Sequence, residues 1–152
     1  MNVIQHYRGD IRVGREYTAA RCVGNFIRKR RKQRTVTDIY VDGGTRGSRI
    51  CLVDKSENKT IIKTRGGDLT NNELEYLAVL YALDYINNRH KKDNITIYSD
   101  SKLIVNQING EWRITTDRLQ PLYDKCMKRM TSKIKIKWIG RDSNLAGIIL
   151  ED

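Results

Sequence analysis

The chain has 152 residues, 39% of them hydrophobic and 31% charged, and a formal net charge of +11 at pH 7. That length suits one domain with a core of its own, so neither a disulfide nor a small-molecule cofactor is needed to explain folding. No apolar run approaches a membrane span.

The charge is uneven. Residues 1–34 hold ten Lys/Arg against Asp10 and Glu16, a balance of +8, whereas residues 35–152 carry only +3. A nearly neutral domain therefore follows a basic N-terminal extension, which points to a polyanionic partner, nucleic acid before membrane. Cys22, Cys51 and Cys126 are too scattered for a zinc site and read as reduced thiols. The opening MNVIQHYRGD has no apolar core of a signal peptide, so a cytoplasmic location is expected.

In chain order, Ala19, Cys22, Val23, Phe26 and Ile27 recur at helical spacing before the basic run RKRRKQR. This segment is either a short amphipathic helix or a disordered arm. Arg28, Lys29, Arg30, Arg31 and Lys32 are candidate phosphate contacts there, with a solvated tail as the bland alternative. Residues 35–42, 49–54 and 59–65 read as three strands of an antiparallel meander, the first ending on Asp42 before Gly43 and Gly44. Thr70 and Glu73 form a capping box, and Leu74, Leu77, Ala78, Tyr81 and Tyr85 then fall on one helical face. His90 and Lys91 suit the negative end of that helix.

Residues 95–99 predict a strand and 101–109 a helix stopped by Gly110. Residues 117–130 predict another helix, with Pro121 in its first turn. In KIKIKWI (133–139), Ile134, Ile136 and Trp138 are expected to point inward, while Lys133, Lys135 and Lys137 point out and guard an outer edge. A short helix follows Asn144. The order predicts an α/β fold: a five-stranded mixed sheet, antiparallel at first and then parallel, flanked by helices.

Three carboxylates stand where a structural design would avoid them. Asp42 follows strand-formers, Glu75 adjoins core Leu74, and Asp100 ends IYSDS. Each alone has a bland reading as turn former, surface residue or helix cap. If the first and fourth strands are parallel neighbours, however, the three meet at one end of the sheet. There they repel unless a cation neutralises them, and an all-oxygen set suits Mg2+ or Mn2+.

The stretches YVDGGTRG, TNNELEYLA, YSDSKLIVNQINGEW and WIGRDSNLAG occur in the order, and roughly the spacing, of the motifs of ribonuclease H type 1. The chain resembles the compact bacterial and archaeal branch of that family and its reverse-transcriptase relatives over about residues 36–150. The resemblance implies a ribonuclease H-like catalytic domain at 35–152 and endonucleolytic cleavage of the RNA strand of RNA–DNA hybrids. It implies two metal ions on Asp42, Glu75 and Asp100, products with 5′-phosphate and 3′-hydroxyl ends, and a monomer. Gly43 and Gly44 would leave room for the nucleic-acid backbone. Asn71 and Asn72 match positions that read the minor groove, and Ser101 and Trp112 extend the nucleic-acid contact; Trp112 reads equally well as a packing residue. Arg46 and Arg49 are plausible phosphate contacts or turn residues.

The pattern also breaks. The family's fourth acid falls on Ile148, for which Asp142 is the nearest substitute and Glu151 a weaker one. The loop histidine and the basic protrusion of some members are missing. The alternative function is therefore a nucleic-acid-binding protein of the same fold with weakened or lost catalysis. A proofreading exonuclease ranks lower, because Asp42 is followed by Gly-Gly rather than x-Glu.

Overall fold

A computed structural model describes residues 35–91 and 93–152. The expectations placed on residues 1–34, including the phosphate contacts at 28–32, lie outside the described residues.

Three strands, β1 (Val36–Gly44), β2 (Arg49–Asp54) and β3 (Lys59–Thr64), form the meander. Helix α1 (Asn71–Arg89) leads to β4 (Asn94–Ser99), then α2 (Lys102–Ile108), α3 (Gln120–Arg129), β5 (Ile134–Trp138), a 3-10 turn at Arg141–Ser143 and α4 (Leu145–Glu151). The sheet order is β3-β2-β1-β4-β5, with β1–β2 and β2–β3 antiparallel and β1–β4 and β4–β5 parallel. The fold class is as expected.

Strand alternation sorts the side chains onto two layers. Ile39, Val41, Ile50, Leu52, Ile95, Ile97, Ile134 and Ile136 face α1, α2 and α3 in the main core. Cys51 and Val53 face the other way, against Ala146 and Leu150 of α4. β2 is thus covered on both faces, which is why RICLVD reads as a nearly unbroken apolar run.

Helix α1 starts where the capping box places it. Thr70 Oγ1 accepts from the Glu73 amide, and Glu73 Oε2 accepts from the Thr70 amide at 2.8 Å. Its buried surface is wider than the five-residue face expected from sequence. Tyr76, Val79, Ala82, Leu83 and Ile86 are also buried, while Leu77 and Tyr81 are half-buried. The reason is that α1 is packed between the sheet, α2 and α3, so one stripe does not suffice.

Two further expectations are corrected. β1 does not end on Asp42; it runs through Gly43 and Gly44, which pair with Ile50 and Arg49. Trp138 is not an inward core residue but 49% exposed. It is the last residue of β5, where its Nε1–H donates to the Asp100 carbonyl at 3.1 Å and Lys102 Nζ sits 4.8 Å from the ring centroid. Lys133, Lys135 and Lys137 are exposed on the β5 edge, as the guard reading requires.

His90 caps α1, yet the helix end is not its main partner. Its buried ring lies between two carboxylates, with Nε2 2.8 Å from Asp54 Oδ2 and Nδ1 3.0 Å from Asp93 Oδ2. Burial opposes the charged ring, but the Asp93 and Asp54 acceptors outweigh it and raise the His90 pKa. Tyr85, Ser56 and the Ser56 and Glu57 amides complete the Asp54 carboxylate. A histidine with a raised folded-state pKa stabilises fully below its unfolded value of about 6.5 and loses that contribution as pH rises through the folded value. His90→Gln should therefore cost about 2–4 kcal/mol in urea melts at pH 6. The gap to wild type should narrow at pH 9; an equal gap at both pH values would refute a charged clamp.

Candidate active site

The three acids arrive from three elements at the carboxyl ends of the parallel strands. Asp42 projects from β1, on the sheet face opposite the main core. Asp100 follows β4 directly and is not spent as a helix cap, because Ser101 takes that role: its Oγ accepts from the Ile104 amide. Glu75 is in the first turns of α1, which passes over the end of β1. An oxygen from each of the three carboxylates lies within 4.8 Å of the others.

Gly43 makes this convergence possible. A Cβ there would meet the Leu74 carbonyl carbon at 2.3 Å and the Glu75 amide nitrogen at 2.6 Å. Its missing side chain serves the crossing of α1 over β1, and so the delivery of Glu75; Gly43 also lines the cavity over the acids. Gly44 differs: its nearest neighbour would be Leu150 Cδ1 at 3.9 Å, which leaves its surface open to the cavity.

Electrostatics match the crowding. Glu75 is only 5% exposed. Burial, then the charges of Asp42 and Asp100, push its pKa up to about 9. Burial and the Asp100 charge raise Asp42 to about 6, with Arg141 pulling in the opposite direction. Glu75 Oε2 is buried without a hydrogen-bond partner among the described residues. An orphaned carboxylate oxygen in an all-oxygen cluster is what a hard divalent cation satisfies, so the donor set fits one.

A cavity of about 550 Å³ opens over the acids. Gly43, Gly44, Asn71 and Ser101 line it, as do Thr45, Arg46, Leu150, Arg141 and Glu151. Asn72, Trp112 and Asp142 are exposed and do not line it. Arg49 is occupied elsewhere, donating to the Leu150 carbonyl at 3.0 Å and so tying down the end of α4. Ile148, in the place of the missing acid, is 42% exposed and also outside the cavity lining.

Sequence reasoning missed Asn144. It is fully buried, and its Nδ2 donates to the Val41 carbonyl at 3.0 Å, pinning the start of α4 beside the Asp42 peptide. Thr45 was missed as well. The only available signal for Asn144 was a polar residue at a helix start, which reads first as a cap.

Residues 40–150 match a family described as reverse transcriptase-like. The ribonuclease H of Neorickettsia sennetsu is 34% identical over 78 residues, a stretch covering 47% of this chain and 50% of that protein. The chain thus spans about half the length of the curated relative it matches. Among solved structures, RNase H1 of the archaeon Halobacterium salinarum NRC-1 is similar at TM-score 0.62 and 23% identity, covering 76% of this chain and 94% of that one. LC11-RNase H1 in complex with an RNA/DNA hybrid is similar at TM-score 0.63 and 26% identity, covering 72% and 88%. The LC11 enzyme was isolated from compost by a metagenomic approach.

Proposed function

Because this chain belongs to the reverse transcriptase-like family and has the ribonuclease H fold, we propose that it is a divalent-metal-dependent endonuclease that cleaves the RNA strand of RNA–DNA hybrids, leaving 5′-phosphate and 3′-hydroxyl ends. The observation that carries this reading is the meeting of Asp42, Glu75 and Asp100, with a buried Glu75 oxygen left unpaired. The hybrid-bound LC11 relative supports the substrate class.

Asp42, Glu75 and Asp100 would hold Mg2+ or Mn2+, as a pair of ions in a two-metal site. Bound there, the ions supply Lewis-acid activation of water and neutralise charge on the leaving oxygen. The protein's own contribution is placement. Buried Glu75 keeps water from one side, and the open surface at Gly44 admits the strand. Asn71, at the N-terminus of α1, presents an amide to the minor groove, where RNA differs from DNA by its 2′-hydroxyl. Arg46 and Arg141 offer planar donors to phosphate oxygens.

The direct test incubates the full chain with end-labelled RNA–DNA hybrid, duplex RNA and duplex DNA, with and without Mg2+. Cleavage of the RNA strand of the hybrid alone, only with Mg2+, is expected. Tight hybrid binding without cleavage would favour the binding-protein alternative and reject the enzyme.

A further inference from the structure

The last turn of α4 reaches the rim of the acid cavity. Gly147 and Glu151 are four residues apart and share one face of that helix. A Cβ at position 147 would lie 3.3 Å from Asp100 Oδ2, so this face looks onto the acids, and its first position is bare. One turn on, Glu151 lines the same cavity as Asp42, Glu75 and Asp100. Its carboxylate is engaged by Arg141, which also lines the cavity and donates from Nε at 2.7 Å. Both side chains are more than half exposed.

An exposed ion pair of this kind contributes little to stability, so partners can be exchanged at little cost. The sign of the local field decides the exchange. Even with buried Glu75 holding its proton, the other acids leave the cation-free cavity negative, which favours a guanidinium at its mouth and disfavours another carboxylate. Two divalent cations carry more charge than the three acids and reverse that preference.

We propose that Glu151 is a further carboxylate ligand for the cation site, held outside by Arg141 in the cation-free protein and exchanged into the cavity as cations load, which frees Arg141 to bind a phosphate oxygen of the strand. This deepens the functional reading above and rests on its claim that the three acids hold cations. The inference reverses the order expected from sequence, where Asp142 was preferred. Asp142 is in the 3-10 turn beside Arg141 but does not line the cavity, whereas Glu151 does, and bare Gly147 lets the same helix face pack closely against Asp100.

The test is calorimetric titration of Mn2+ into the full chain without nucleic acid, so that it does not depend on turnover. Glu151→Gln should weaken Mn2+ binding about tenfold or remove its weaker event. Arg141→Gln should tighten binding, by up to about fivefold, because it removes the competitor. Asp142→Asn should bind as wild type does. Mn2+ binding by Glu151→Gln indistinguishable from wild type, or weaker binding by Arg141→Gln, overturns the exchange alone. A wild-type chain that binds no Mn2+, or Asp42→Asn binding it undiminished, removes the cation site itself and the exchange with it.

Discussion

Asp42→Asn should lower Mg2+-dependent hybrid cleavage by at least about a thousandfold, equivalent to roughly 4 kcal/mol of barrier. The same variant should melt at a higher temperature than wild type in metal-free buffer at pH 8. The first effect follows from losing one of three ligands in a site that has no spare carboxylate already inside it. The second follows from electrostatics. Folding raises Asp42 to about 6 and Glu75 to about 9, through burial and mutual repulsion. Acids whose folded pKa lies above the unfolded value of about 4 contribute stability below that value and lose it as pH climbs through the folded one. At pH 8 the ionised Asp42 therefore costs the fold about 3 kcal/mol. An uncharged isostere removes that cost; about half of the gain should remain at pH 5, and it should nearly vanish by about pH 3, below the unfolded value.

Mg2+ should act in parallel, raising the wild-type melting temperature more at pH 8 than at pH 5, since protons and cations compete for the same oxygens. Full activity in Asp42→Asn would reject the assigned site. A lower melting temperature at pH 8 would reject the account of strain between the acids while leaving the site itself in place.

Gly43→Ala should destabilise the domain by about 3 kcal/mol or more, because the added carbon meets backbone rather than a flexible side chain. For a domain of this size that lowers the melting temperature by roughly 10 °C. Neither β1 nor α1 can yield locally. β1 is paired with β2 at Gly43 itself and with β4 from Val36 to Tyr40, and α1 is wedged between the sheet and two helices. Relief requires α1 to lift from the sheet, which carries Glu75 away from Asp42, so Mg2+ affinity should fall with stability. Gly44→Ala is the control: with its nearest contact at 3.9 Å, it should melt within about 1 kcal/mol of wild type. Thermal melts with and without Mg2+ read both variants, and equal melting of the two would show that the close crossing at Gly43 is not what the site depends on.

Much of this molecule is legible in its sequence because the signals are local. The capping box at Thr70–Glu73 lies within one turn, the alternation of KIKIKWI within one strand, and Ser101 beside the helix that it caps. Asp42, Glu75 and Asp100 could be singled out because acids beside strand-formers and core leucines are locally costly wherever they occur. What tertiary structure alone decided depends on partners distant in the chain. Gly43 is bare because of a backbone at Leu74. His90 has a raised pKa because Asp54 and Asp93 close on both ring nitrogens. Trp138 is half exposed at the end of β5, and Glu151 rather than Asp142 lines the cavity because it shares the face of α4 on which Gly147 packs against Asp100. Periodicity and turn chemistry report what a residue prefers next to its neighbours; which side chains and backbones then collide or pair is set only when the elements pack.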